Sequence, residues 1–198
     1  MSQSRIPVNE RRQSLIEAAV RVLSRDGVAP ATTRAICAEA GMPSGFFHYC
    51  FSSKSELMLE VLNVLEQHLG RMAVTMAGSQ APLGEVLKQG FEAYLGDLRE
   101  NAGLHQLTYE LALNQLRDPD LHQLALRQYA GYEKMTAEFL RSAATSAQCE
   151  WTHPVSFLAR YVASVLDGAT LEWLVNRDDE QTRGSFEALS EYLVGCAA

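Results

Sequence analysis

The chain has no run of about 18 apolar residues, so nothing in it reads as a membrane-spanning helix. The best candidates are broken by Glu60 and Asn63, and by Arg160, Asp167 and Glu172. The opening stretch MSQSRIPVNERRQ lacks an apolar core ahead of a small-residue cleavage site, so it is not a signal peptide and the expected compartment is the cytoplasm. Cysteine is sparse: Cys37, Cys50, Cys149 and Cys196 stand far apart and form no C-x-x-C pair, which argues against both a zinc site and a disulfide framework. Period-two alternation and internal repeats are missing too, leaving no pattern for strands. Glu-x-x-His occurs once, at Glu150 to His153, without the second copy that a bundle metal site needs, and His68, His105, His122 and His153 share no ligand spacing, which counts against an enzyme of the helical-bundle type. No catalytic residue, metal or cofactor is expected.

What is present is a globular composition with an uneven charge. The 198 residues are 47% hydrophobic, enough for a real core, and the net charge is −7. Residues 1–55 hold seven Lys/Arg against four Asp/Glu, whereas residues 56–198 hold ten against twenty. Affinity for nucleic acid depends on local positive charge meeting phosphates, so the acidic remainder does not preclude it.

The basic part also contains the most informative segment, residues 31–57, ATTRAICAEAGMPSGFFHYCFSSKSEL. Thr32 and Thr33 are suited to cap a helix reaching about residue 40, and Gly41 supplies the left-handed position that ends it. Pro43 and Ser44 open a second, short helix with aromatic residues along one side. Ser53 and Glu56 have capping-box spacing, so a long helix starts there and runs to about residue 76. Before this segment, a helix over residues 9–25 is signalled by Leu15, Ile16, Ala19, Val22 and Leu23 and closed by Asp26-Gly27. Beyond it, breaks and caps mark helices over 82–101, 103–116, 118–146, 154–175 and 185–194, the last preceded by a charged loop, NRDDEQTRG. The fold class is all-α with about nine helices: a three-helix helix-turn-helix head in residues 1–55 and a larger helical body in residues 56–198.

At TTRAICAEAG followed by SGFFHYCFSSKSEL, the sequence resembles the TetR family of bacterial transcriptional regulators, most strongly over residues 10–60. The resemblance implies a ligand-responsive regulator, by family default a repressor, that binds a palindromic double-stranded DNA operator as a homodimer and is released by a small-molecule effector. It also implies DNA contacts. Thr33 would meet a phosphate with its hydroxyl, N–H and helix dipole, or act as an ordinary cap. Arg34 would reach a base edge or stay solvated, and Lys54 would contact a phosphate or remain a surface lysine. Ser44, Gly45 and Phe46 match positions that face bases, and His48 and Tyr49 match positions that hold the backbone. Phe46 and His48 depart from the family pattern, and Phe46 either reads thymine methyls or turns toward the head's core. Arg5, Arg11 and Arg12 form a basic arm beside the first helix, either entering a minor groove or serving as an attractive tail. A helical interaction module with weakened DNA binding is the alternative that Phe46 and His48 keep open.

In the body, Phe157, Tyr161 and Val165 belong to a broad apolar stripe, and Phe186, Leu189 and Leu193 to a matching one on the last helix. By resemblance, these two helices pair with their copies across the dimer. Phe91, Tyr94, His105, Tyr109, Tyr129, Tyr132, Met135 and Phe139 supply the aromatic and polar groups that an effector pocket needs, or alternatively a plain core.

Overall fold

In a computed structural model, residues 7–74, 81–116 and 122–198 are described, and among them nine α-helices and no strands are found. Helix α1 (Val8–Asp26) buries Leu15, Ile16, Ala18, Ala19, Val22 and Leu23 and stops at Gly27, whose φ of 84° only glycine adopts readily. Arg11 and Arg12 lie inside α1 rather than in a loose arm, and Arg5 falls outside the described residues. Helix α2 (Thr33–Glu39) ends before Gly41, at φ 67°, and a 3-10 turn (Ser44–Phe46) runs straight into α3 (Phe47–Cys50). Helix α4 (Lys54–Val74) starts as the capping box predicts, Ser53 Oγ accepting the Glu56 N–H at 3.1 Å. The Glu56 carboxylate reaches one residue further back than expected, to the N–H and hydroxyl of Ser52, both at 2.8 Å.

Helices α5 (Leu83–Glu100), α6 (Ala102–Leu116), α7 (His122–Ala147), α8 (Val155–Asn176) and α9 (Asp179–Gly195) complete the chain. The start expected at Asp118-Pro119 lies outside the described residues. Helix α9 begins six residues earlier than the expected 185, because Asp178 caps it by accepting the Gln181 N–H at 3.0 Å and Asp179 and Glu180 suit the positive end of the helix. The charged loop therefore shrinks to Arg177 and Asp178, with Arg177 closing α8 at φ 57°.

The helices form two compact units. One comprises residues 1–65 with 106–125, the other residues 66–105 with 126–198. The first differs from the head expected to end at residue 55. Leu57, Val61, Leu62 and Leu65 in the first turns of α4 are buried within it, and α6 adds buried Leu107 and Leu111. In the second unit α5, α7, α8 and α9 enclose a core of Leu87, Phe91, Leu95, Leu98, Leu140, Leu158, Val162, Trp173, Phe186, Leu189 and Leu193. The C-terminus is pinned by reciprocal backbone bonds between Glu150 and Ala198, at 3.1 and 2.9 Å.

This core corrects one expectation. Phe186, Leu189 and Leu193 were expected at the dimer contact but are buried inside their own unit, Leu193 at 0% exposure, so a second copy cannot cover them. The apolar stripe of α9 faces inward because α5 and α8 are there to receive it. The outward face is carried by other residues. On α8 these are Phe157 (51% exposed), Tyr161, Leu171 (51%) and Val175 (81%), and on α9 Tyr192, whose ring centroid lies 4.9 Å from that of Tyr161. Val165 is half-buried between the two faces.

Leu193→Ala opens a cavity in this core and is expected to destabilise the protein by roughly 2–5 kcal/mol in chemical denaturation. A loss under about 1 kcal/mol would show that the site is not core.

Candidate nucleic-acid interface and sensor region

A recognition segment of a 3-10 turn and four helical residues has no stability of its own and must be held from below. Phe47 does this, buried at 1% exposure, with its ring centroid 5.6 Å from that of buried Phe51. The opposite side is left outward: Ser44, Gly45 and His48 are exposed, and Tyr49 is 79% exposed. Phe46 does not join the head's core. It is half-buried, with the Arg11 guanidinium 4.7 Å from its ring centroid and Tyr49 tilted against it at 5.7 Å.

The start of α2 is built by Thr32, whose Oγ1 accepts the Ala35 N–H at 3.1 Å. That leaves Thr33 as the first helical residue, half-buried, and Arg34 exposed one position on. Lys54 donates from Nζ to the Ala31 carbonyl at 2.8 Å, which fixes its ammonium beside that same end of α2. Thr33 and Lys54, 21 positions apart in the chain, are thus brought together. Other cations of the unit are already engaged. Arg12 donates to Glu56 at 2.7 Å, to Glu60 at 2.8 Å and to the Cys50 carbonyl at 2.5 Å, and lies 4.2 Å from the Phe51 ring centroid. Arg21 and Arg25 share Glu39, and Arg25 also pairs with Asp26. From α6, Glu110 accepts the Val28 N–H at 2.8 Å, and its Oε2 would meet a Cβ on Gly27 at 3.0 Å.

Within the second unit the expected pocket residues separate into groups. Tyr94 shares a hydrogen bond with Thr170 Oγ1 at 2.8 Å, and its ring stands edge-on to that of His105 at 5.4 Å. Tyr129 and Tyr132 meet at 5.7 Å, and Gln128 donates to the Tyr132 hydroxyl at 2.7 Å. Burial pushes the Tyr94 and Tyr129 hydroxyls above the usual tyrosine range, and the Asp167 carboxylate pushes in the same direction. Phe91 and Phe139 are core, 6.1 Å apart, and Phe91 also floors an open groove of about 420 Å³ between α5 and α9 that is bridged by Arg183 and Glu92 at 2.6 Å. Met135 lies beside Gly70. Tyr109 belongs to the first unit, so it is not grouped with the others.

The sequence reading missed the residue that organises this region. Asp97 accepts from Nε2 of His68 and of His105, both at 2.8 Å, and from Asn101 at 2.8 Å. Burial alone would raise its pKa. The His105 hydrogen bond, the His68 charge and the Asn101 bond outweigh it, and the carboxyl is held below the usual range. An ionised carboxylate only accepts, so both imidazoles donate to it from Nε2. The i, i+4, i+8 spacing of Asp97, Asn101 and His105 was the available signal, and the helix break at 101 obscured it.

Comparison with known proteins is consistent with this layout. Residues 15–61 match the family model for bacterial regulatory proteins of the tetR family. Over 175 residues the chain is 28% identical to a nicotine-responsive transcriptional repressor, HdnoR, of Paenarthrobacter nicotinovorans, covering 88% of this chain and 89% of that one. The solved structure of a multidrug binding protein, EbrR, complexed with imidazole is 28% identical, covers 93% of this chain and 90% of its own, and has a TM-score of 0.67. The same protein complexed with ethidium is 26% identical over 92% and 98%, with a TM-score of 0.68. The curated relatives are transcriptional regulators, not enzymes. Among the described residues no helix is long and apolar enough to cross a membrane.

The Ser52 bonds and the Arg12 guanidinium hold the Glu56 carboxyl at about 2, below its ordinary 4.5. A depressed carboxyl stabilises the fold above its unfolded pKa, and that contribution is lost as the pH falls from about 4.5 to about 2. Glu56→Gln is expected to be less stable than the parent at pH 7, with the gap narrowing through that window in pH-dependent thermal melts. A gap that stayed constant with pH would show that the carboxylate charge is not involved.

Proposed function

We propose that this chain, which belongs to the TetR family of bacterial transcriptional regulators, is a cytoplasmic repressor that binds a palindromic operator as a homodimer and is released by a small-molecule effector. The observation that carries the reading is the outward face of the recognition segment. Ser44, Gly45, His48 and Tyr49 are exposed on a segment anchored by Phe47, with Arg34 exposed on α2 and Thr33 and Lys54 together at its start. Lys54 and Thr33 are assigned to a phosphate, where charge and hydrogen bonding fix register without reading sequence. Arg34, Ser44 and Gly45 are assigned to base edges, and His48 and Tyr49 to the backbone.

The outer face of α8 and α9 supports the dimer. Phe157, Tyr161, Ser164, Gly168, Leu171 and Val175 form one exposed row along α8 at steps of three and four residues, and the small Ser164 and Gly168 allow close approach. Such a face, left in water, is the kind of apolar patch that a second copy covers. A two-fold pair also sets two heads on two half-sites.

The effector is assigned to the second unit around Tyr94, Tyr129, Tyr132, Asp167 and His105. Aromatic faces with a nearby carboxylate suit a nitrogen-bearing aromatic molecule that carries positive charge. The nicotine response of one relative and the ethidium complex of another support that class. Helix α6 contributes His105 to the second unit and Glu110 to the first. Release then follows from the ligand's higher affinity for the conformation that fits DNA poorly.

Three measurements test this reading. In fluorescence anisotropy at physiological salt, the parent is expected to prefer the duplex upstream of its own gene over mixed-sequence DNA by at least about a thousandfold. Leu171→Glu is expected to sediment as a monomer with unchanged helicity and to lose that preference. Equal affinity for both duplexes would favour the interaction-module alternative, and a dimeric Leu171→Glu would refute the interface. In thermal-shift titrations, ethidium or nicotine is expected to raise the parent's melting temperature, and Asp167→Asn to abolish the rise. A shift retained in that variant would remove Asp167 from the site.

A further inference from the structure

We propose that Arg11 of α1 contacts the DNA backbone and that Phe46 is the ring that positions it there. The inference rests on the reading of the first unit as DNA-binding and adds to it a contact from outside the helix-turn-helix segment. It begins from how the unit's cations are used. Arg12, Arg21 and Arg25 are committed to carboxylates: Glu56 and Glu60, Glu39, and Asp26 with Glu39. Among the described residues Arg11 makes no such pair; the contact it makes is with the face of Phe46, 4.7 Å from the ring centroid.

That difference has a chemical consequence. A guanidinium is planar, and its five N–H donors lie in its own plane. Ion pairing uses those donors, whereas stacking on a ring occupies only a face and leaves the donor rim open for an oxyanion fork. The ring also restricts a long side chain that would otherwise sample many rotamers, so less conformational entropy remains to be lost when a ligand binds. Phe46 is itself fixed, half-buried in the 3-10 turn with Tyr49 tilted against it at 5.7 Å. Its neighbours Ser44, Gly45 and Tyr49 are the exposed recognition face, so the stacked guanidinium is delivered to the edge of that face. A phenylalanine that neither joins the core nor projects freely is thereby accounted for as a platform. Phosphate is the partner such a cation fits, since a fixed arginine fork matches its oxygens and the contact carries no sequence requirement.

The test measures affinity for mixed-sequence duplex DNA as a function of salt for the full-length parent, Arg11→Ala, Arg11→Met, Phe46→Leu and the double variant Arg11→Ala/Phe46→Leu, with thermal melts to confirm folding. Arg11→Ala and Arg11→Met are each expected to weaken binding several-fold and to flatten the slope of log K against log salt by about 0.9, the signature of one lost phosphate contact. Methionine still covers the Phe46 ring, so a purely packing role would leave that variant at the parent slope and overturn the proposal. Phe46→Leu is expected to weaken binding in the parent background and to cost nothing further once Arg11 is gone. An equal cost in both backgrounds would show that Phe46 acts on DNA by itself and would overturn its positioning role. A parent that binds no duplex even at low salt refutes the DNA-binding reading and this inference together. A parent that binds normally while the Arg11 variants keep its slope refutes this inference alone.

Discussion

The first unit depends on one guanidinium. Arg12 joins α1 to the C-terminal carbonyl of α3 through Cys50 and to the first turns of α4 through Glu56 and Glu60, while its flat face covers Phe51. A four-residue helix cannot supply its own cooperativity, so its placement must come from neighbours. Phe47 and Phe51 provide apolar anchorage beneath it, and Arg12 provides direction, because a planar donor with several fixed acceptors tolerates little rotation. The recognition segment is positioned relative to that clamp. Glu56 is the second half of the same device. It caps the start of α4 through Ser52 and pairs with Arg12, so a single carboxylate sets both where the helix begins and where α1 lies against it.

Lys54 and Arg11 extend this logic to the surface. Each is held by a neutral partner, a carbonyl for Lys54 and a ring for Arg11, so its charge is oriented without being neutralised. The remaining arginines of α1 are neutralised by acids. The net positive charge of the first 55 residues is therefore not spread evenly but left available at selected points. In the second unit, an ionised Asp97 shared by His68 and His105 performs the corresponding task of fixing α4, α5 and α6 to one another next to Tyr94.

How much of this was legible in the sequence follows from the range of the interactions. Local signals read well: the Thr32 cap, the Gly41 turn and the Ser53 start are set within four residues, and the family pattern SGFFHYCFSSKSEL spans one contiguous segment. Partnerships across the fold did not. Nothing near Phe46 announces that Arg11, 35 positions away, will lie on it, and nothing near His68 points to Asp97. The faces of α9 illustrate a different limit. Periodicity identified Phe186, Leu189 and Leu193 as a stripe but could not say whether α5 and α8 or a second copy would cover it, and the core claims it. The outward face is marked instead by single aromatic and aliphatic residues among small and polar ones, a weaker pattern than an apolar stripe. The early start of α9 was missed because Asp178 and its acidic neighbours look like a loop until read as a cap and first turn.

The central claim is that exposed residues on a clamped recognition segment read DNA in two symmetric copies. Footprinting of the DNA upstream of the protein's own gene tests it most directly. The expected result is protection of one inverted-repeat site whose half-sites lie about one helical turn apart or a multiple of it, filling together in a single transition as protein is added. Uniform protection along the fragment, or protection of an isolated half-site with no partner, would contradict it.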